Sequence, residues 1–392
     1  MESAERDWKK KCRKAKWVAA MLLFVLLAGG CVPSNNNGEQ IIEEGKNEEQ
    51  KTVRVPKYQI SDSYYKVIAP FEPSDTRGMV LNNLSTRYDS DAFEEGLLRI
   101  AQKRFSTDEY LFRDGKYIDA KTVKEWLSRK SANENDGGSP NGLNPALEEN
   151  SKAGYEKSPK YLAHLLEHDY LLRTKDNKVK TGGVVIGLAL NSVYTYSVNG
   201  ESGEVKISDA KLKEEGKRMA NEVLKRLRHG NEEDLKSVPI VIALYKQREK
   251  TAVIPGNFIA YGVSEKGTEL EWEDVNEEYV LFPSDDAMRK YRGDAEMFSR
   301  FQDEITSYFP NYNGIVGRGL YIDEKLVKLK IDIHYEFYGK AETIGFAQYI
   351  GGLVGQMLPG DADIEVRVES LEGPEALIIK NEDRDEPFVY IY

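Results

Sequence analysis

Two spacings of hydrophobic residues alternate along most of the chain, and they predict a mixture of strands and helices. Apolar and charged residues alternate at 327–337 and 364–369, which is the period of two of a half-buried strand. Apolar residues three or four apart predict helices at 90–105, 208–229, 295–308 and 342–358. Weaker patterns predict strands at 64–69, 184–196, 238–245 and 387–392, and short helices at 119–127 and 159–171. The order of these elements predicts an α+β fold in which helices pack on antiparallel or mixed sheets.

Two short sequences recur and indicate an internal duplication. YIDAKTVK at 117–124 and YIDEKLVK at 321–328 share six of eight residues. We therefore predict two diverged repeats, 57–245 and 246–392, the first enlarged by a polar loop at about 129–157 whose Leu143-Asn144-Pro145 core is a candidate ordered segment. The alternative is a chance match, because the second octet continues into a predicted strand whereas the first opens a predicted helix.

The first 30 residues have the pattern of an export signal. A basic run ends at Lys16, and an apolar stretch follows at 17–30. These 14 residues are fewer than the roughly 20 that a membrane-spanning helix needs. The polar residues 31–56 have no sustained period and predict a disordered tether.

The end of the apolar stretch resembles the lipobox of bacterial lipoproteins. The sequence LAGGC at 27–31 places small residues before Cys31, and the resemblance implies cleavage between Gly30 and Cys31. Lipoprotein signal peptidase would make this cut, and diacylglyceryl transferase would attach lipid to the Cys31 thiol. Two acyl chains are enough for a stable membrane anchor. The alternatives are an ordinary secretory signal with a chance cysteine and a short membrane anchor.

Charge and cysteine content limit the kinds of partner and of metal site that the exported part of the chain can have. Without residues 1–30 the chain has 48 basic and 63 acidic side chains, a formal charge of −15. Such an acidic protein is unsuited to nucleic acid or to direct contact with anionic lipid headgroups. The two cysteines, Cys12 and Cys31, both lie in the first 31 residues. We therefore expect no disulfide and no thiolate metal site in the exported part, and we predict no cofactor.

One motif suggests an enzyme. His164, Glu167 and His168 fit the H-x-x-E-H pattern of inverted zinc proteases, in which two histidines one helical turn apart bind zinc and the glutamate is the base. A five-residue pattern has low specificity, and no third ligand can be identified in the sequence. We therefore predict that these residues lie on the exposed face of a short helix, that no metal binds, and that the protein is not an enzyme.

The predicted helix at 342–358 contains an unusual number of glycines. Gly345, Gln348, Gly352 and Gly355 fall on one face, although each glycine costs about 1 kcal/mol relative to alanine in a helix. Close packing of this face against the sheet is the simpler interpretation. A groove for a peptide or a glycan is the alternative, and 15 residues ending at Pro359 are too few for a membrane helix pair.

Beyond the lipobox, several motifs resemble the CamS family of Gram-positive lipoproteins, which are precursors of cAM373-type sex pheromones. They are the segments YKVIAPF at 65–71, Arg77-Gly78 and NGLNP at 141–145, together with the duplicated body. The resemblance covers essentially the whole mature chain, and its motifs name no catalytic residue.

The resemblance implies that the last seven residues of the signal peptide are released as a hydrophobic pheromone. Enterococcal cells with a responsive conjugative plasmid would perceive this heptapeptide. Its residues are Phe24, Val25, Leu26, Leu27, Ala28, Gly29 and Gly30. The heptapeptide of this chain differs from the family pattern, because it starts with Phe24 and ends in two glycines.

We accordingly predict a lipoprotein on the extracellular face of the cell membrane of a Gram-positive bacterium. Its exported body would be non-enzymatic, with a peptide or cell-wall ligand as a possible partner. Two other functions stay open: a ligand- or peptide-binding lipoprotein, and a zinc peptidase. A cleft with convergent polar groups between the repeats would favour the first.

Overall fold

The computed structural model of the chain describes residues 39–44, 51–77, 85–131, 137–176, 178–309, 312–382, 384 and 386–392. The predicted signal peptide, the heptapeptide at 24–30 and Cys31 lie outside these residues. The described chain forms two large mixed sheets covered by helices, so the predicted α+β class is confirmed. None of the described helices has the length and apolar character needed to cross a bilayer.

The first sheet contains ten of the described strands. They are β1 (Glu39–Glu44), β2 (Lys51–Pro56), β3 (Lys66–Val67), β4 (Thr86–Arg87), β5 (Tyr110–Asp114), β6 (Leu162–Arg173), β7 (Lys178–Asn191), β10 (Ile240–Glu249), β11 (Asn257–Ser264) and β12 (Glu271–Asp274). The central order is β12-β11-β10-β7-β6-β5-β3, and β1, β2 and β4 pair beside it. Strands β8 (Val193–Val198) and β9 (Glu201–Lys206) form a separate hairpin.

The second sheet has six strands in sequence order. They are β13 (Glu277–Phe282), β14 (Tyr312–Ile322), β15 (Lys325–Tyr335), β16 (Asp363–Ser370), β17 (Gly373–Lys380) and β18 (Phe388–Ile391). Along β15 the buried residues alternate with Lys328, Lys330 and His334, as the sequence period predicts.

Helices connect these strands and cover the sheets. They are α1 (Ser90–Gln102), α2 (Ala120–Leu127), α3 (Lys152–Lys157), α4 (Asp209–His229), α5 (Asp285–Lys290), α6 (Arg292–Tyr308) and α7 (Lys340–Met357), with a short 3-10 helix at Glu233–Lys236. Side chains cap five of them, because each N-cap residue accepts a hydrogen bond from a backbone N–H of the first turn; these residues are Asp89, Asp119, Ser151, Ser208 and Ser284.

The two sheets share one topology. In the first, β5-β6-β7-β10-β11-β12 are paired antiparallel throughout except for the parallel pair β7 and β10, which α4 connects. In the second, β13 to β18 repeat this order, with the parallel pair β15 and β16 connected by α7. The predicted boundary at 245 is wrong, since β11 and β12 pair with β10. We call residues 39–274 unit 1 and residues 277–391 unit 2.

The octets that suggested the duplication do not occupy equivalent places. The first contains the start of α2, where Asp119 is the N-cap. The second spans the turn between β14 and β15, where Asp323 and Glu324 have positive φ of 51° and 66°. The topology is repeated, but the six shared letters are a coincidence.

Helix α1 joins the two units. Phe93 and Leu97 are fully buried on the first sheet. On the other side, Glu95 accepts hydrogen bonds from Lys328 and Lys330, and Arg99 pairs with Glu277 at 3.0 Å. Burial acts to raise the pKa of Glu95, but the charges of the two lysines lower it below its usual value. Ion pairs from one helix therefore hold the polar face of the second sheet against unit 1.

Part of the predicted tether is folded. Strands β1 and β2 lie within 31–56 and pair antiparallel, and β1 also pairs with β7. Val53 and Val55 are buried among apolar residues of unit 1. A disordered tether over the whole of 31–56 is therefore wrong, because alternate valines provide a face that the sheet can bury.

The polar loop at 129–157 has an ordered core. Leu143 and Asn144 are buried. The Asn144 amide donates to the carbonyls of Leu127 and Leu162, and its Oδ1 accepts from Leu162 N–H at 2.8 Å. Residues 152–157 form α3, so the loop is shorter than predicted. The hydrogen bonds of the buried Asn144 side chain therefore fix the segment between α2 and β6.

The glycine face of α7 does not pack against the sheet. Thr343, Phe346 and Ile350 point inward, whereas Gly345, Gln348, Gly352 and Gly355 are exposed. A Cβ on Gly345 or Gly352 would meet nothing within 4 Å. The packing interpretation is therefore wrong, because the apolar residues of this helix lie on the opposite face.

Candidate functional site

A cleft of about 620 Å³ opens between the two units. Unit 1 contributes the adjacent ends of β8, β9 and β10 and the loop at 252–254. Unit 2 contributes β13 and both ends of α5. This volume lies within the range of small-ligand sites, and the junction of two structural units is a common place for them.

One wall of the cleft is the edge of β13. Within the described residues this strand pairs only with β14, so its other edge is unpaired. The consecutive residues Glu278, Tyr279, Val280 and Leu281 all line the cleft. Because successive side chains of a strand point to opposite faces, a cleft that touches all four runs along the edge. Such an edge offers backbone N–H and C=O groups to an added strand.

Basic side chains from both units also line the cleft. Lys246 and Lys290 line the cleft, but they pair with Asp209 and Glu278. Arg248 is different: its Nε is buried without a partner, and its guanidinium forms no ion pair with any described residue. Its Nη atoms have no hydrogen-bond partner among the described residues and are not buried, so they are suited to bind an external acceptor.

Apolar side chains lie between these polar groups. Val193, Ile207, Val253, Ile254 and Leu281 line the cleft from both units. The cleft thus combines apolar contacts, backbone hydrogen-bonding groups and an unpaired cation. Groups of these kinds are suited to bind and orient a ligand. Neither Arg248 nor the β13 edge was predicted from the sequence, where the only sign was the change from apolar to polar residues at 246–249.

A second, wider cleft of about 1300 Å³ lies within unit 1. Tyr155 stacks on Tyr196 with ring centroids 5.2 Å apart, and the Tyr194 hydroxyl accepts a hydrogen bond from Arg129. These aromatic faces already pack on protein groups. The rings therefore mainly build the wall of this cleft.

The H-x-x-E-H residues lie on a strand. The segment predicted as a helix at 159–171 is β6, because its residues are nearly all buried and pair with β5 and β7. His164 and His168 contact Tyr88 and Phe112 on one face of the first sheet. Glu167 points to the opposite face, where it bonds to the chain at 117–118. The predicted exposed location is wrong, and the strand separates the glutamate from the two histidines.

Burial controls the protonation of both histidines. His164 and His168 are 2% and 1% exposed, and desolvation lowers the pKa of each to about 4. The charge of Asp114 opposes the shift at His168, and that of Arg77 reinforces it. Both rings are therefore neutral at neutral pH. Within the described ranges no cluster of three or more His, Cys, Asp or Glu is placed to hold a metal ion.

Glu167 has a structural partner. Its carboxyl oxygens accept hydrogen bonds from the backbone N–H groups of Tyr117 and Ile118 at 2.9–3.2 Å. Gly115 is required beside it, since a Cβ there would lie 2.4 Å from the Glu167 Cβ. Burial and then the nearby Asp169 charge raise the Glu167 pKa well above its usual range. This residue fastens the turn before α2 to β6.

Arg77, part of the Arg77-Gly78 motif, forms a bidentate pair with a buried carboxylate. Its Nε and Nη2 lie 2.7 and 3.0 Å from the two oxygens of Asp114, and its Nη1 lies 2.6 Å from Glu94. These charged hydrogen bonds raise the Arg77 pKa further above its usual value, although burial opposes the shift. The motif arginine thus links the loop at 74–77 to β5 and α1, whereas Gly78 lies outside the described residues.

Comparison with known proteins gives consistent matches. A family model described as CamS sex pheromone cAM373 precursor matches residues 71–386. The C-terminal domain of sex pheromone staph-cAM373 precursor from Staphylococcus aureus is 35% identical, with a TM-score of 0.70 over 80% of this chain and 99% of that one. The sex pheromone precursor of Lactobacillus salivarius subsp. salivarius UCC118 is 28% identical, with a TM-score of 0.76 over 87% of this chain and 99% of that one. No curated protein sequence matches the chain.

Proposed function

The chain belongs to the CamS family of sex pheromone cAM373 precursors, and from this premise we propose that it is a lipid-anchored surface lipoprotein whose signal peptide releases a heptapeptide pheromone. The observation that supports the anchor is the sequence LAGGC at 27–31 behind a basic and an apolar segment. Membership of a pheromone precursor family supports an extracellular or membrane-associated role.

The proposed lipid anchor requires the thiol of Cys31. In a Gram-positive host, labelled palmitate should enter the wild-type chain and the Cys12→Ser variant, whereas Cys31→Ser should take up none. Two acyl chains hold a protein at a membrane, so Cys31→Ser should also leave the membrane fraction. Mass spectrometry of the medium should detect the peptide FVLLAGG from cells with the wild type or Cys12→Ser, but not from cells with Cys31→Ser. A Cys31→Ser protein that still incorporates palmitate would contradict the proposal.

For the exported body we propose a binding role, which the cleft between the units favours. Its β13 edge, apolar walls and unpaired Arg248 are groups that recognise a ligand. A peptide or a cell-wall component is the proposed class of partner. The body is proposed to act without catalysis and without a metal.

The zinc peptidase alternative gives a separate prediction. Because the β6 strand directs Glu167 away from His164 and His168, elemental analysis of the purified full chain should find no stoichiometric zinc. The His164→Ala/His168→Ala variant should show the same metal content as the wild type. Zinc at one atom per chain, lost in that variant, would refute the non-enzymatic role.

A further inference from the structure

We infer that the cleft between the units binds the carboxyl-terminal end of an extended apolar peptide, which adds a strand to β13 and pairs its terminal carboxylate with Arg248. This inference rests on the proposed binding role and names its ligand. It follows from three features of the cleft: its strand edge, its unpaired guanidinium and the apolar character of its walls.

The strand edge selects an extended backbone. The four consecutive residues of β13 that line the cleft, 278–281, span about 10 Å at roughly 3.4 Å per residue. About four residues of a ligand strand fit beside them. Peptides that add to a sheet edge gain affinity from backbone hydrogen bonds and specificity from pockets for alternate side chains. Aliphatic side chains of both units provide such apolar contacts here.

The guanidinium of Arg248 favours a ligand that carries a single negative group. Arg248 has no partner among the described residues, and its planar donors match the two oxygens of a carboxylate. Lys206 lines the same cleft without an ion pair and adds to the positive potential. A polyanion is disfavoured, because Glu249, Asp285 and Asp286 also line the cleft. One carboxylate at the end of an apolar chain fits this balance of charge.

The peptide FVLLAGG, residues 24–30 of this chain, is a probe with these properties. Its aliphatic residues favour an extended strand, and signal processing leaves it with a free carboxylate. The full chain, purified in mild detergent, can be titrated with the amino-terminally labelled peptide and followed by fluorescence anisotropy. We expect saturable binding, and we expect the carboxyl-terminal amide to bind at least tenfold more weakly because it lacks the charge that Arg248 pairs with.

Variants and analogues test each feature. Arg248→Gln should weaken binding of the free acid about tenfold or more while leaving the amide unchanged. Arg104→Gln is the matched control, since Arg104 is exposed, pairs with Glu265, and neither residue lines the cleft. Methylation of the peptide nitrogens at Leu26 and Ala28 should weaken binding, because it removes donors and obstructs strand pairing. Thermal melts of both variants check that the fold is retained.

The outcomes separate this inference from the pheromone proposal. Equal affinity for acid and amide, or no loss with Arg248→Gln, would overturn it. Competition by decanoate as strong as that of the peptide would overturn the peptide class in favour of a fatty acid. If the reversed peptide GGALLVF binds as well as FVLLAGG, the carboxylate site is supported and the heptapeptide is only one of its ligands. Absence of FVLLAGG from the culture medium would refute pheromone release without affecting the cleft.

Discussion

Replacing Arg113 with methionine should lower the free energy of unfolding by about 3–5 kcal/mol at neutral pH, because it leaves a buried carboxylate without its partner. Arg113 and Asp169 lie directly opposite each other on β5 and β6. The Arg113 Nε and Nη2 lie 3.1 and 2.6 Å from Asp169 Oδ2, and both side chains are nearly inaccessible to solvent. Urea unfolding of the wild type and Arg113→Met measures the loss.

The pH dependence of this loss follows from Asp169. Burial raises the Asp169 pKa, whereas the charge of Arg113 lowers it. Without Arg113 the folded-state pKa rises further, so protonated Asp169 is favoured and stability falls as the pH increases through that pKa. Arg113→Met should therefore be more destabilised at pH 8 than at pH 5.

Two variants control for the loss of an arginine side chain. Arg104→Met removes an exposed ion pair with Glu265 and should have a much smaller effect. The double variant Arg113→Met/Asp169→Leu removes both buried charges and should recover most of the stability. A loss in Arg113→Met no larger than that in Arg104→Met would show that Asp169 does not depend on this pair.

Acidification should destabilise the protein through His164 and His168. Their folded-state pKa values are about 4 against an ordinary 6.5, because both rings are buried. Below pH 6.5 these histidines bind protons in the unfolded chain but not in the folded chain. Their contribution to the free energy of unfolding is therefore complete above pH 6.5 and is lost as the pH falls towards 4. At 1.36 kcal/mol per pKa unit, each histidine contributes up to about 3 kcal/mol.

The measurement is a difference between two proteins at each pH. The raised pKa of Glu167 acts in the opposite direction, since its protonated form is favoured by folding and its contribution increases as the pH falls. Because Glu167 is present in both proteins, its contribution cancels when urea unfolding of the wild type is compared with that of His164→Gln/His168→Gln from pH 7 to pH 4. The advantage of the wild type should shrink on acidification, whereas the exposed His334→Gln should follow the wild type. A constant difference would contradict the prediction.

Local sequence patterns predicted much of the secondary structure. The period-two residues at 327–337 and the helix at 208–229 with its Ser208 cap needed only neighbouring residues, and both are confirmed. The segment at 159–171 was predicted wrongly. Its two histidines and its acidic residues resemble a polar helix face, yet burial between β5 and β7 makes it a strand.

The sequence by itself determined the acidic and cysteine-poor composition, the α+β class and the family resemblance, because these depend on residues close together or on totals. Only the tertiary structure decided that β11 and β12 belong to unit 1, that Asp169 pairs with Arg113, and that Arg248 lines the same cleft as the open edge of β13. The physical reason is that strand pairing, the partner of a buried charge and the walls of a cleft depend on contacts between residues far apart in the chain, which local periodicity does not encode.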